Sequence, residues 1–580
     1  MSLAHRCLRI VLLQALLLFF LLAAFAQADP NDNETQSMTS SSDAISTGGT
    51  PTTSLTVTST SPSTPISTAS PPSKLPGNGT NSNNNSVTEE QAPTNVTFQC
   101  NVDTIFCAKV KTAVDAAVTE FTNVVFLKVP IIIRIRYHSF CEMSCANDTY
   151  GWGVPASQFT LPGEDGVDPN YVYPQSLAKQ LALYGNSSAW ADHDIDLEIN
   201  HDPYMNAVDY DAAASAGWNG TGVPPGGKYW FKGDPPIASN QIDLEYIVLH
   251  ELLHGIGFVS SWAAYFYTST SPFRFLIEGV FDDSELKLVT PSLTWAVKKG
   301  AGPVYISGFS PTMIFDKYLI SATQSGNYTN TTSLQTLAFE MQDFCVSEDN
   351  AFIIDFVRQF LDSAYQSRLA NALFLAMAQE SSLTFKFDTP AVQNSTFITN
   401  AYLAQTYKNM TLQTGNSFID SGLETYSTIN NRPGLSISHL DSQYAMTPDF
   451  VMTKTFHTGA MLSDLVNMTY SKIPTITYNE TLSNGTVAQK QYRSPIGPGV
   501  LRILDSMGYS TVLTQTNYTG FGGAPPLRSD SCSDGSIVTS VSKRDEMSNS
   551  SSSSGRSATV LIHPALYVLI SCMYIFLYYY

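Results

Sequence analysis

The chain of 580 residues contains 49 Asp and Glu against 30 Lys and Arg, which gives a formal net charge of -19. No lysine- or arginine-rich face stands out, so we expect no nucleic-acid partner. Polar stretches near both ends limit the foldable part to about residues 100–520, which is long enough for one large core or two fused cores.

The N-terminus has the three parts of a secretory signal peptide. Residues 1–28 contain basic Arg6 and Arg9, then the apolar run Ile10–Ala24, and they end in small residues. This order is typical of a cleaved signal. We therefore expect an exported protein whose mature chain begins near residue 29.

Residues 29–97 are dominated by Ser, Thr, Pro, Asn and Gly, with almost no large apolar side chains. Such a segment cannot bury enough surface to offset the entropy lost on ordering, so we predict a disordered, O-glycosylated stalk. Sixteen Asn-x-Ser/Thr sites along the chain predict N-linked glycans as well.

The C-terminus has the composition of a lipid-attachment signal. Residues 516–557 form a polar tail that ends in small residues, and residues 558–580 form an apolar tail with no basic residue after it. This order is typical of a glycosylphosphatidylinositol (GPI) signal, whose apolar part is removed when the lipid is attached. A true membrane span is the alternative, although His563 and Pro564 interrupt the apolar run. Either reading places the chain at the cell surface.

Cysteine usage agrees with an oxidising compartment. Six cysteines lie outside the removable ends, which suggests three disulfides. Short spacings favour two local bonds and leave the last two cysteines to pair with each other. The predicted disulfides are Cys100–Cys107, Cys141–Cys145 and Cys345–Cys532.

Residue patterns predict an α+β arrangement for the N-terminal catalytic subdomain, residues 98–258. Ala108–Phe121 has the apolar spacing of a helix, and Val129–Tyr137 alternates like a strand. Asp194–Asn200 also alternates, with polar residues on one side, which is a pattern that an edge strand tolerates. We expect the resulting sheet to back an active-site helix.

That helix is predicted around His250-Glu251-Leu252-Leu253-His254. Asn240 is a candidate N-cap, and apolar residues recur at three- and four-residue spacing after it. Residues four apart lie on one helix face, so the imidazoles of His250 and His254 converge as two ligands of a zinc ion. Glu251 is placed to take a proton from water without being a ligand. The alternative is a chance pattern with buried histidines.

Catalytic zinc sites usually have three protein ligands, so a third is needed. His439 and His457 are the histidines that lie downstream of the helix and before the apolar tail. A glutamate, Glu278 or Glu285, is a further alternative, although neither lies in a convincing ligand-bearing helix. The residue types alone leave this choice open.

Three downstream segments narrow the choice through a resemblance to a known family. Ser438-His439-Leu440-Asp441, Val451-Met452-Thr453 and Asp505-Ser506-Met507-Gly508-Tyr509 follow one another in that order. With His250–Phe258, they resemble the metzincin metallopeptidases, and most closely the leishmanolysin-like branch. The usual metzincin third-ligand position corresponds to Ser260, which is not a metal ligand. In the leishmanolysin-like branch the ligand instead follows a long insertion.

The resemblance implies a zincin-like, α+β catalytic domain with a mixed sheet, an active-site helix and a long insertion before the third ligand. The insertion would span residues 259–433, and the C-terminal catalytic subdomain would span residues 434–515. Within the insertion, apolar spacing predicts a helix at Ala351–Met377 and short strands at Leu383–Phe387 and Ser417–Ile419.

The resemblance also assigns the site residues. It implies His439 as the third zinc ligand and Met452 as the residue of a turn packed beneath the metal. Asp441 is either a partner of His439 or an ordinary turn residue. The implied site is the metal ligands His250, His254 and His439 with the general base Glu251.

These features predict a secreted or cell-surface, zinc-dependent endopeptidase that acts on protein or peptide substrates. The strand near Asp194–Asn200 would hold an extended substrate by main-chain pairing. The alternative is a non-catalytic, wall-associated glycoprotein with a structural or inactive metal site.

Overall fold

The computed structural model describes residues 57–58, 94–142, 149–164, 166–182, 189–268, 271, 273–297, 304–325, 328–347, 351–387, 400–415, 437–481, 484–518 and 525–529. The strands there are β1 (Val57–Thr58), β2 (Asn95–Cys100), β3 (Val125–Phe126), β4 (Ile132–His138), β5 (Gly151–Pro155), β6 (Gln158–Phe159), β7 (Tyr173–Pro174), β8 (Ile195–Asn200), β9 (Tyr229–Trp230), β10 (Ile242–Asp243), β11 (Leu293–Val297), β12 (Val304–Phe309), β13 (Leu319–Ser325), β14 (Tyr328–Ser333), β15 (Ala351–Phe352), β16 (Leu383–Lys386), β17 (Asn409–Leu412), β18 (Ile476–Thr481), β19 (Val487–Tyr492) and β20 (Ser510–Thr511). The helices are α1 (Thr104–Thr122), α2 (Gln175–Leu181), α3 (Asp202–Asn206), α4 (Tyr210–Ser215), α5 (Leu244–Gly255), α6 (Arg274–Ile277), α7 (Leu334–Gln342), α8 (Ile353–Asp362), α9 (Gln366–Met377), α10 (Ala401–Thr406), α11 (Leu462–Tyr470) and α12 (Pro498–Met507). Short 3-10 helices occur at Phe140–Glu142, Ile314–Tyr318, Ser442–Tyr444 and Phe450–Met452.

A five-stranded sheet with the order β1-β2-β4-β8-β5 organises the N-terminal part. Strands β2, β4 and β8 run parallel, whereas β1 and β5 pair antiparallel at the two edges. Ile133, Ile135 and Tyr137 of β4 are fully buried, and the Phe106 ring of α1 stacks on Tyr137 with 5.5 Å between centroids. The predicted helix Ala108–Phe121 lies within α1, and the strand predicted at residues 129–137 overlaps β4.

The strand predicted as an edge at Asp194–Asn200 is an inner strand. β8 pairs with β4 on one side and with β5 on the other, so the edge is β5. The polar residues of β8 pair with β4 across the sheet: Arg134 Nη2 lies 2.6 Å from Asp196 Oδ2, and Arg136 pairs with Glu198. Charge alternation in β8 therefore reflects ion pairs on one sheet face rather than an exposed edge.

The described structure begins before the predicted boundary at residue 98. β2 starts at Asn95, and β1 pairs with it from within the segment predicted to be a disordered stalk. The predicted disulfide Cys100–Cys107 is confirmed and joins the end of β2 to α1. Cys141 and Cys345 are also disulfide-bonded. Their predicted partners lie outside the described residues, as do the signal peptide, most of the stalk and polar tail, and the apolar C-terminal segment.

Helix α5, which carries His250 and His254, begins later than predicted. Its N-cap is Asp243, whose Oδ1 accepts a hydrogen bond from the Glu245 amide at 3.1 Å. Asn240 is not the cap, because Ile242 and Asp243 form β10, which pairs in parallel with β9 and keeps the backbone extended. The other oxygen of Asp243 accepts a 2.9 Å bond from the Leu462 amide at the start of α11. Tertiary pairing therefore decides where this helix starts.

The insertion contributes two further sheets, β11-β12-β15 and β14-β13-β16-β17. The single helix predicted at Ala351–Met377 is wrong, because the segment contains strand β15 followed by α8 and α9. Ser363 separates the two helices with an extended backbone at φ -70° and ψ 93°. The strand predicted at Leu383–Phe387 is confirmed as β16. Strand β17 was not predicted, and the strand predicted at Ser417–Ile419 lies outside the described residues.

The segment that follows the β18–β19 pair forms α12, which is capped by Gly508. Gly508 adopts the left-handed conformation with φ 117°, which favours glycine at a helix end. Among the described helices, none combines the length and the apolar character that crossing a bilayer requires.

Two glycines allow the edge strand β5 to lie directly against α5. A Cβ atom added to Gly153 would lie 1.8 Å from the backbone oxygen of Glu251. A Cβ atom on Gly151 would lie 2.8 Å from the Glu198 oxygen and 3.2 Å from the Glu251 Cγ. The absence of side chains at these positions therefore fixes the distance between the strand and the helix.

Replacing Gly153 by Ala should force β5 away from α5 and lower the free energy of unfolding by about 1–3 kcal/mol, the range for overpacked sites. Urea denaturation measures this loss. Gly151→Ala is the matched comparison, and it should cost less because its closest contact is 2.8 Å. An unchanged stability of Gly153→Ala would contradict close packing of this strand on the helix.

Candidate metal centre

Three histidine side chains that are distant in sequence meet at one buried point. His250 and His254 lie one turn apart on α5, and His439 lies in the segment that precedes the 3-10 helix Ser442–Tyr444. The His250 Nε2 lies 3.2 Å from the Nε2 of His439 and 3.2 Å from that of His254. All three candidate ligand atoms lie within 4.8 Å of one another.

The two 3.2 Å separations fit the ligand set of a tetrahedral zinc ion. Nitrogen ligands about 2.0–2.1 Å from such an ion are separated from each other by about 3.3 Å. The Nδ1 atom of His250 lies 2.6 Å from the Val451 carbonyl oxygen, and that of His254 lies 2.9 Å from the Phe258 carbonyl oxygen. A carbonyl only accepts, so both Nδ1 atoms donate and both Nε2 atoms keep their lone pairs.

Burial reinforces the neutral, metal-binding form of the ring. Burial, with a smaller contribution from the neighbouring His254, lowers the pKa of His250 to about 3. The three rings are between 2% and 6% exposed. Converging lone pairs in such a site repel each other unless a cation lies between them. The donor set therefore suits a metal ion better than a set of mutually hydrogen-bonded histidines.

Backbone bonds from two elements hold His439 in place. The His439 carbonyl accepts from the Gln413 amide at 2.9 Å, just after β17. The Leu440 amide donates to the Met452 carbonyl at 2.8 Å. Met452 is fully buried in the 3-10 helix Phe450–Met452, and its neighbour Val451 receives the bond from His250. The predicted Met-containing turn thus bonds to His250 and to Leu440, the residue that follows His439.

A buried carboxylate from the insertion, Asp316, also supports this arrangement. Its Oδ1 accepts from the Ser260 hydroxyl at 2.6 Å, and its Oδ2 accepts from the Ser261 amide at 2.9 Å. The Ser260 amide donates in turn to the Ser438 hydroxyl at 3.1 Å, next to His439. The sequence analysis did not identify Asp316, because nothing in its local sequence indicates that it meets Ser260.

Glu251 lies beside the histidines and is 6% exposed. Its Cγ would be 3.2 Å from a Cβ atom added to Gly151, so its side chain lies against β5. Glu251 therefore follows His250 on α5 and packs on the edge strand β5. The aromatic ring of Phe456, 4.9 Å from that of His250, forms another wall.

The alternative ligands lie outside the three-histidine cluster of the described residues. The His457 Nε2 lies 2.6 Å from the Ala445 carbonyl oxygen, and Glu285 accepts from the Asp282 amide. Glu278 caps the C-terminus of the short helix α6. Asp441 is a turn residue here, because it caps the 3-10 helix Ser442–Tyr444.

The chain matches a known protein family but no protein of known structure. A family model described as SPBPB7E8-like matches residues 52–216 and 226–550. The uncharacterized protein PB7E8.01 of Schizosaccharomyces pombe is 22% identical over 426 residues, which cover 71% of this chain. The chain spans about 60% of the length of that curated relative. No solved structure matches this chain.

Metal analysis of the purified full chain should find one zinc ion per chain. The His439→Ala variant should lose most of this zinc, because two ligands from one helical turn bind zinc far more weakly than three ligands do. His457→Ala is the matched control and should keep its zinc. Equal zinc content in His439→Ala and the unaltered chain would exclude His439 as a ligand.

Stability should also depend on pH through Asp316, because burial raises the pKa of this carboxyl to about 6. The unfolded chain releases this proton near pH ~4, so between about pH 4 and 6 the folded chain binds more protons. The stabilising contribution of Asp316 is therefore complete below about pH 4 and is lost as the pH rises through about 6.

Urea denaturation of the metal-free chain and of Asp316→Asn between pH 4 and pH 7 measures this effect. The stability difference between the unaltered chain and the variant should shrink as the pH rises. A difference that stays constant across this range would contradict a raised pKa at Asp316.

Proposed function

The chain belongs to the SPBPB7E8-like family, and we propose that it is a secreted or cell-surface, zinc-dependent endopeptidase with a zincin-like catalytic domain of the leishmanolysin-like kind. The names of the family and of its yeast relative do not state an activity, so the proposal depends on the residues of the candidate metal centre. The observation that carries it is the convergence of His250, His254 and His439, with Glu251 adjacent to His250 on α5.

The three histidines and the carboxylate have separate roles in this proposal. A zinc ion held by the three Nε2 atoms would supply Lewis acidity toward a peptide carbonyl and lower the pKa of water toward ~7. Glu251 takes a proton from the attacking water and passes it to the leaving amine. The buried surroundings of Glu251 and His254 exclude bulk water, which strengthens these electrostatic interactions.

Substrate binding is assigned to β5 rather than to β8. β8 is paired on both sides, whereas β5 is the last strand of its sheet and lies against α5 at Glu251. An extended peptide that adds to an edge strand is held by main-chain hydrogen bonds, largely independent of its sequence. This placement brings a scissile bond next to Glu251 and the three histidines.

Location at the cell surface completes the proposal. The signal peptide, the glycan acceptor sites and the apolar C-terminal segment support export and attachment by a GPI anchor or a membrane span. Peptides or proteins outside the cell are then the substrates.

Glu251→Gln should reduce cleavage of an unfolded protein substrate by about 10²–10⁴-fold, the contribution typical of a positioned general base. The variant should keep its zinc, because Gln at this position leaves the three histidines intact. Glu278→Gln is the matched control and should retain full activity.

Two outcomes would contradict the proposal. Full turnover by Glu251→Gln would remove Glu251 from its catalytic role. No cleavage by the zinc-loaded, unaltered chain, across several unfolded substrates, would favour the non-catalytic glycoprotein with a structural metal site.

A further inference from the structure

A cavity of about 380 Å³ lies between α12, the β18–β19 hairpin and residues 512–515. None of its lining residues belongs to the three-histidine cluster. Its charged lining residues are Arg502 and Asp505, which lie one turn apart on α12. Arg502 is 8% exposed and Asp505 is 5% exposed, so both side chains are more than nine-tenths buried.

Both buried side chains have unused hydrogen-bonding capacity. Asp505 Oδ1 accepts from the Thr511 hydroxyl at 2.6 Å and from the Thr514 hydroxyl. Asp505 Oδ2 and Arg502 Nε have no hydrogen-bond partner among the described residues, so they do not satisfy each other either. The Arg502 guanidinium stacks instead on the Tyr407 ring, 4.2 Å from its centroid.

Leaving a buried donor and a buried acceptor unpaired is unfavourable, and native proteins rarely do so without a functional reason. The missing partner must accept from Arg502 Nε. Toward Asp505 it must be able both to donate and to accept, because burial raises the pKa of this carboxyl to about 7 and the group is partly protonated at neutral pH. A hydroxyl group does both. The ionised form of Asp505 offsets the charge of Arg502, so the partner needs no net charge of its own.

The remaining polar wall supports the same chemistry. Gln489 and Gln515 line the cavity with amide groups, which both donate and accept, and Tyr478 adds an aromatic ring. The volume is within the usual range for small-molecule sites, roughly 300–1,000 Å³. We propose that this cavity binds a neutral saccharide, whose ring hydroxyls bridge Arg502 Nε and Asp505 Oδ2.

An amino-acid zwitterion is the competing ligand, and the wall suits it less well. Each of its charged groups requires several hydrogen-bond partners when buried. Arg502 Nε and Asp505 Oδ2 provide one free donor and one free acceptor. A pair of hydroxyl groups needs fewer hydrogen-bond partners than an ammonium and a carboxylate do, so the saccharide is favoured.

This site is separate from the proposed peptidase activity, and its test does not require that activity. The glycosylated full chain is titrated with the methyl glycosides of glucose, mannose, galactose and N-acetylglucosamine, and binding is followed by saturation-transfer NMR. At least one glycoside should bind saturably at one site. Asp505→Asn and Arg502→Lys should weaken that binding by about tenfold or more, because each removes a hydrogen bond to a charged group.

Matched controls separate the cavity from its surroundings. Arg493→Lys and Asp464→Asn change an arginine and an aspartate that do not line the cavity, and they should leave binding unchanged. Gln489→Ala tests the rim without disturbing the buried core, since this side chain is exposed. It should also weaken binding, which keeps the test valid if a buried variant fails to fold.

The titration is repeated after enzymatic removal of N-glycans to distinguish two sources of saccharide. Binding in both samples supports a free or foreign saccharide, and binding that appears only after removal supports occupation by a glycan on the chain itself. The proposal is overturned if no glycoside binds in either sample or if Asp505→Asn, Arg502→Lys and Gln489→Ala all bind normally. Binding of glycine but of no glycoside also overturns it.

Discussion

The approach of His439 to His250, across 189 residues of sequence, is the constraint on which the rest of the site depends. Two of the three imidazoles donate from Nδ1 to backbone carbonyls, so their Nε2 lone pairs face one another at 3.2 Å. Such an arrangement is electrostatically unfavourable without a cation between the nitrogens. Closing so long a loop also lowers chain entropy, so the surrounding contacts must favour this one geometry strongly.

The insertion between residues 259 and 433 supplies many of those contacts. The residue after β17 donates to the His439 carbonyl, and Asp316 holds the serines that follow the active-site helix. The bond from Ser260 to Ser438 then joins the two sides of the site. Through this bond Ser260 positions the segment that carries the distant histidine. The insertion is therefore part of the site's framework.

Features that local residue patterns determine could be predicted from the sequence, whereas features that depend on pairing between distant segments could not. The spacing of His250 and His254 follows from helix geometry, and the alternation in β4 follows from burial of one sheet face. The edge assignment of β8 was wrong, because Arg134 and Arg136, which pair with its charges, lie on another strand. The N-cap at Asn240 was wrong for a similar reason, since β9 keeps the residues after it extended. The residues around Asp316 in the sequence do not indicate its role, because that role depends on the tertiary contact with Ser260 and Ser261.

Buried charges in this chain differ in how completely their own neighbours satisfy them. Asp316 accepts bonds at both oxygens, and Asp449 accepts from the Tyr402 hydroxyl at one oxygen and from the Val500 amide at the other. Such carboxylates are parts of the framework, because their hydrogen-bonding capacity is used within the chain. Asp505 and Arg502 differ from these carboxylates, because Asp505 Oδ2 and Arg502 Nε keep unused hydrogen-bonding capacity among the described residues. The three histidines differ in another way, because their candidate ligand atoms converge within 4.8 Å of one another. Unused capacity at a buried group and convergence of ligand atoms are features that a framework role does not require, and they separate these two places from the rest of the buried polar groups.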